Sequence, residues 1–169
     1  MSFLVDSNVL IAAHRQYYAF PICPGFWQSI IEQYHGGKVL SIDRVKEELS
    51  NQGDALEEWI DAELPKTFFG SSDQDSVIEK YAELQQWAND ETQYNEAAKA
   101  EFASVADAWV IAYAAAFDHT VVTLETIRDP NVKKRVPIPN VCEEFEISCI
   151  NTFEMLGHLQ VSFELSDSN

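Results

Sequence analysis

Short apolar runs recur along this chain, and a stretch of helical character follows each one. SFLVD (2–6), KVLSI (38–42), KTFFG (66–70), HTVVTL (119–124) and EISCIN (146–151) read as strands. Ser7 to His14 continue from the first as a helix or turn, and residues 15–23 are aromatic-rich and irregular. PGFWQSIIEQYHGG reads as a helix with Pro24 at its first position, ended by Gly36 and Gly37. Asp43 is placed to cap a helix through Val45, Glu48 and Leu49, and ALEEWIDAEL continues as helix. From Asp75, apolar Val77, Ile78, Tyr81, Leu84 and Trp87 recur at helical spacing, a core-facing stripe. Residues 94–103 form another helix, Ser104 is the expected cap of VADAWVIAYAAAF, and PNVCEEF and TFEMLGHL close the series. Strands that alternate with helices in this way predict an α/β fold: a central parallel sheet of about four to five strands, with helices on both faces. In such folds sites gather at the carboxyl ends of the strands.

The 169 residues read as one domain, 1–169, with the last few residues expected to be disordered. No run of about 18 apolar residues exists, so no membrane helix is expected. No basic stretch precedes the first apolar run, which does not read as a signal peptide. Cys23, Cys142 and Cys149 are an odd count at unrelated spacings, which fits a reducing cytoplasm better than a disulfide framework. No Cys/His set has zinc-ligand spacing. The net charge of −17 repels nucleic acid on average but suits cations or a basic partner.

Four carboxylates stand at matching places. Asp6 closes the first strand, Glu48 lies early in the helix after the second, and Glu125 follows the VVT strand. Asp107 opens the helix before that strand. In a parallel sheet all four can face one crevice. Converging carboxylates repel one another and lose hydration, so a cation between them is expected. An all-oxygen set points to Mg²⁺ or Mn²⁺, and to hydrolysis at phosphorus. Each acid also has a structural alternative. Ser104-Val-Ala-Asp107 fits a capping box, Asp6 can cap the helix that follows it, Glu125 can be an ordinary loop acid, and Glu47 and Glu48 can be an exposed helix face.

The set LVDSNVLI, VKEEL, ADAWVIAYA and VVTLE resembles the PIN-domain ribonucleases, the fold of VapC-type toxins. YYAFPICPGFW and VPIPNVCEEF resemble a PIN subgroup known mainly as a domain of unknown function. The resemblance implies a three-layer α/β/α fold and a Mg²⁺- or Mn²⁺-dependent endoribonuclease. Asp6, Glu48, Asp107 and Glu125 would be its catalytic metal ligands, with Asn8 and Thr123 in support. Family members usually carry Asp where this chain has Glu125. The resemblance also implies an RNA substrate, a cognate antitoxin and a homodimer.

Of 11 basic residues, Arg128, Lys133, Lys134 and Arg135 fall within eight positions just after Glu125. A local basic loop can hold RNA phosphates within a repulsive global field. Arg15, Arg44 and Lys46 are secondary candidates, whereas the aromatics Tyr17, Tyr18, Phe20, Phe26 and Trp27 fit core packing better than base stacking. Two other readings compete: a PIN fold that has lost turnover and acts as a protein-binding module, and a haloacid-dehalogenase-like phosphatase. The second needs D-x-D after strand one, where this chain has Asn8.

Overall fold

The computed structural model describes residues 2–50, 53–126 and 131–164. Five parallel strands form the centre: β1 (Phe3–Val5), β2 (Val39–Ile42), β3 (Phe69–Gly70), β4 (Thr120–Val122) and β5 (Cys149–Ile150), in the order β3-β2-β1-β4-β5. Phe3 pairs with Val39 on one side and Thr120 on the other, so β1 is central. Its Phe3, Leu4 and Val5 are all buried, as a run apolar on both faces requires.

Helices α1 (Ser7–Ala12) and α2 (Pro24–His35) carry the chain from β1 to β2, and α3 (Asp43–Leu49) and α4 (Ala55–Glu63) carry it to β3. Helices α5 (Asp75–Asp90), α6 (Glu96–Ser104) and α7 (Asp107–Phe117) then cross back to β4, α8 (Ile138–Glu144) leads to β5, and α9 (Thr152–His158) follows. The β1-to-β2 and β3-to-β4 crossovers run in opposite directions along the sheet. Right-handed connections therefore place them on opposite faces, which gives the three-layer α/β/α architecture. Helix α7 is apolar all round, because it lies between the sheet and the outer helices α5 and α8. Its Ala108, Val110, Ile111, Ala112 and Ala114 are fully buried. Tyr81 of α5 stacks on Trp109 with ring centroids 3.8 Å apart.

Several local expectations change. KTF (66–68) is a 3₁₀ turn, closed by the Phe68 amide on the Pro65 carbonyl at 2.9 Å, and only Phe69–Gly70 joins the sheet. Gly70 passes so close to Tyr113 that a Cβ there would lie 2.3 Å from its hydroxyl oxygen. Ser104 does not cap α7. It ends α6, and its hydroxyl donates back to the Glu101 carbonyl at 2.9 Å. The chain then bends by 63° into α7, where Asp107 is the first helical residue, so no capping box forms. Asp43 is likewise the first residue of α3, and its carboxylate ties that helix to the loop after β3 through the Ser72 amide at 3.0 Å. The irregular stretch opens as a π-helix over Ala13–Tyr17. Gly37 ends α2 with φ +68°, a left-handed conformation that favours glycine. The expectation of a disordered tail falls on residues 165–169, outside the described residues. Among the described residues, no single helix is long and apolar enough to cross a membrane.

Candidate active site

The strand order reverses between β1 and β4, so the helices leaving these two strands diverge and open a crevice at their carboxyl ends. Asp6 sits at that point. Its amide bonds the Val122 carbonyl of β4 at 3.0 Å, so its backbone belongs to the sheet while its side chain turns into the crevice. The carboxylate caps α1 through the Ser7 amide at 2.7 Å and accepts from the Thr123 hydroxyl at 3.2 Å. The capping role foreseen as an alternative is therefore real, but it does not account for the burial. Asp6 is only 2 % exposed. Burial first, then the Asp107 carboxylate and more weakly that of Glu48, pushes its carboxyl up to about 7, against a smaller opposing pull from the Ser7 amide.

Asp107 enters from the bend between α6 and α7. Burial pushes its carboxyl up to about 6; Arg135 opposes this, while Glu48 and Glu101 add to it. Glu48 reaches across from α3, and its Oε1 accepts from the Ala106 amide at 3.0 Å. That bond satisfies an amide at the α7 start, which has no side-chain cap of its own, and fixes Glu48 beside Asp107. Three acids from three separated segments thus share one electrostatic neighbourhood. Neighbouring Glu47 points elsewhere and pairs with Arg44 at 3.6 Å.

Glu125 is held differently. Its Oε2 accepts from the Ile138 amide at 2.9 Å, and its Oε1 accepts from Arg135. Arg135 also lies 4.0 Å from Asp107, so its guanidinium stands between the third and fourth acids. Thr123 is the hub that links the parts. Its Oγ1 donates to Asp6 and accepts from the Asn8 side-chain amide at 3.0 Å and the Glu125 backbone amide at 3.2 Å. Asn8 in turn accepts from the Leu124 amide at 3.0 Å. Asn8 and Thr123 therefore join the carboxyl ends of β1 and β4.

A cavity of about 140 Å³ opens here, lined by Glu48, Glu101, Asp107, Arg135 and apolar side chains of α6. Glu101 is the residue that spacing could not find: it belongs to α6, and only the bend between α6 and α7 turns it toward Asp107. Among the basic candidates, Lys133 and Lys134 are exposed and line neither the acidic cavity nor the pocket beside it, while Arg128 lies outside the described residues. Arg15 pairs with Asp54 at 3.2 Å and Lys46 with Asp61 at 3.1 Å. Phe26 and Trp27 are buried, with Phe26 stacked on Tyr18 at 4.5 Å, while Tyr17 is half exposed.

The donor chemistry suits a hard divalent cation: carboxylates whose proton affinity is raised by burial and by one another. Among the described residues, however, no three acidic, imidazole or thiol side chains stand close enough together to hold an ion. Glu48 is turned onto Ala106, and Glu125 onto Ile138 and Arg135.

These features define a doubly wound parallel α/β protein with an acidic crevice at its topological switch point. The chain belongs to the family described as a domain of unknown function (DUF4411), whose model matches residues 3–163. No curated protein and no solved structure matches it.

Proposed function

We propose that this protein is a Mg²⁺- or Mn²⁺-dependent endoribonuclease of the PIN type. The observation that carries the reading is Asp6. A carboxylate buried at the switch point, beside Asp107 and Glu48, opposes folding once it is ionised unless a cation neutralises it. By resemblance Asp6, Glu48, Asp107 and Glu125 would hold the ion, although among the described residues their side chains do not close around one. A divalent ion supplies an acidified water and neutralises charge that develops on the phosphate. The chain's own residues orient that chemistry: Thr123 holds one Asp6 oxygen and the Ser7 amide the other, which fixes the plane of the carboxylate. The Glu48 bond to Ala106 keeps the start of α7, and with it Asp107, in register. Three free cysteines support a reducing, cytoplasmic setting. By the same resemblance the protein acts as a toxin, with a basic antitoxin segment and a second copy of itself as partners.

The test is cleavage of single-stranded RNA in Mn²⁺ by wild type and Asp6→Asn. Mn²⁺-dependent cleavage that is lost in the variant supports the reading; cleavage unchanged in the variant refutes it. A second reading, a binding module without turnover, is favoured by one observation: Arg135 already neutralises part of the acid cluster. Calorimetric titration with Mn²⁺ separates the two, since a module that has lost the metal site gives no binding at millimolar concentration.

A further inference from the structure

We infer that Arg135 is the phosphate-contacting residue of this site and that Glu125 is its anchor, not a metal ligand. The inference rests on the nuclease reading for the identity of the phosphate, an RNA phosphodiester.

Both carboxylate oxygens of Glu125 are committed. One takes the Ile138 amide at 2.9 Å and the other takes Arg135. The backbone amide of Glu125 is tied to Thr123, so the side chain starts from a fixed point. The resemblance expects Asp at this position. An Asp would reach about 1.5 Å less far, one C–C bond, and could not bridge from that point to both partners. The extra methylene therefore has a use, and it lies away from Asp6. Each Glu125 oxygen already accepts one hydrogen bond and one of the two donors is a guanidinium, so an ion there would have to compete with a fixed positive charge.

Arg135 is placed as a phosphate ligand should be. Its side chain is 55 % exposed although two acids hold it, so it remains open to a ligand. It lines the acidic cavity of about 140 Å³ and also a neighbouring open pocket of about 530 Å³ with Asn8, Leu124, Thr126 and Pro137. The guanidinium thus marks the boundary between the acids and a surface large enough for a nucleotide. Both ionic contacts run through Nη2, which leaves the hydrogens of Nη1 and Nε as separate single donors to phosphate oxygens. In a chain of net charge −17, phosphate needs a cation fixed at the point of contact, because the long-range field repels it. Lys133 and Lys134 are exposed and add charge without that geometry.

The experiment compares wild type, Glu125→Gln, Arg135→Gln, Arg135→Lys and the Glu125→Gln/Arg135→Gln pair. One arm titrates Mn²⁺ calorimetrically. The other follows the anisotropy of a short labelled single-stranded RNA in EDTA, where cleavage is suppressed. Arg135→Gln should lower RNA affinity about tenfold or more and Arg135→Lys should restore part of it, with folding of each variant checked by circular dichroism because Arg135 also pairs with Glu125 and Asp107. Glu125→Gln should also weaken RNA but leave Mn²⁺ affinity within about threefold, whereas loss of a true ligand costs on the order of tenfold or more. The double variant should bind RNA no worse than Arg135→Gln alone. The inference is overturned if Glu125→Gln weakens Mn²⁺ binding tenfold, if Arg135→Gln leaves RNA affinity unchanged, or if wild type has no affinity for the RNA. If wild type binds no Mn²⁺, the nuclease reading falls, and the RNA arm still decides the role of Arg135.

Discussion

Asp6→Asn should make the metal-free protein more stable at alkaline pH, although it removes a residue of the candidate site. Asp6 is buried, and its carboxyl is held at about 7 against an ordinary 3.8, so the fold binds this proton more tightly than the unfolded chain does. Below about pH 4 both states keep the proton and no stability is lost. As pH rises through 7 the unfolded state has already released it, so stability falls across that window, by about 4 kcal/mol when complete. Asn mimics the protonated acid without the titration. It can still accept from the Ser7 amide, but it places an NH₂ opposite the Thr123 hydroxyl and loses that bond, about 1 kcal/mol. The variant should therefore gain about 3 kcal/mol near pH 8 and less than about 1 kcal/mol near pH 5. Urea unfolding in EDTA at both pH values measures this directly. A variant no more stable than wild type near pH 8, or a gain that does not shrink near pH 5, refutes the claim that burial and neighbouring acids disfavour the ionised form of Asp6.

Other consequences are equally accessible. Mn²⁺ should raise the melting temperature of wild type but not of Asp6→Asn, and near pH 6.5 its binding should release about one proton from the Asp6–Asp107 pair, seen by calorimetry in buffers of different ionisation enthalpy. Thr123→Val removes a buried donor to Asp6 and the acceptor of two half-buried amides, and should cost about 1–3 kcal/mol in urea unfolding while raising the Asp6 pKa further. Gly70→Ala drives a Cβ against the Tyr113 ring and hydroxyl and should destabilise by about 1–3 kcal/mol; Tyr113→Leu in the same chain should recover part of it.

Most of the architecture was legible in the chain before folding. Runs such as FLV and TVV, apolar on both faces, belong in a parallel sheet because nothing else buries both sides of a strand. Pro24 and the Gly36–Gly37 pair bounded α2 correctly, because ring geometry and a positive φ act locally. Local rules failed where tertiary contacts outweighed them. Ser104 has the composition of a cap, yet the bend at residues 105–106 keeps it helical, and Glu48, distant in sequence, supplies the bond at the α7 start instead.

The candidate site divides along the same line. Asp6, Glu48, Asp107 and Glu125 stood out because acids at the edges of apolar elements cost free energy unless they are used. Their order along the chain placed them near one sheet edge, a consequence of strand direction alone. Which of them face one another depended on side-chain reach between segments about 40 to 100 residues apart in the chain, which periodicity does not encode. Only the folded molecule joins Asp6, Glu48 and Asp107 electrostatically, brings Glu101 to the same cavity, and turns Glu125 onto Arg135 and the Ile138 amide. Sequence decided which charges this protein must bury or present at the strand ends; tertiary structure decided how they pair, because an ion pair is set by distances between segments.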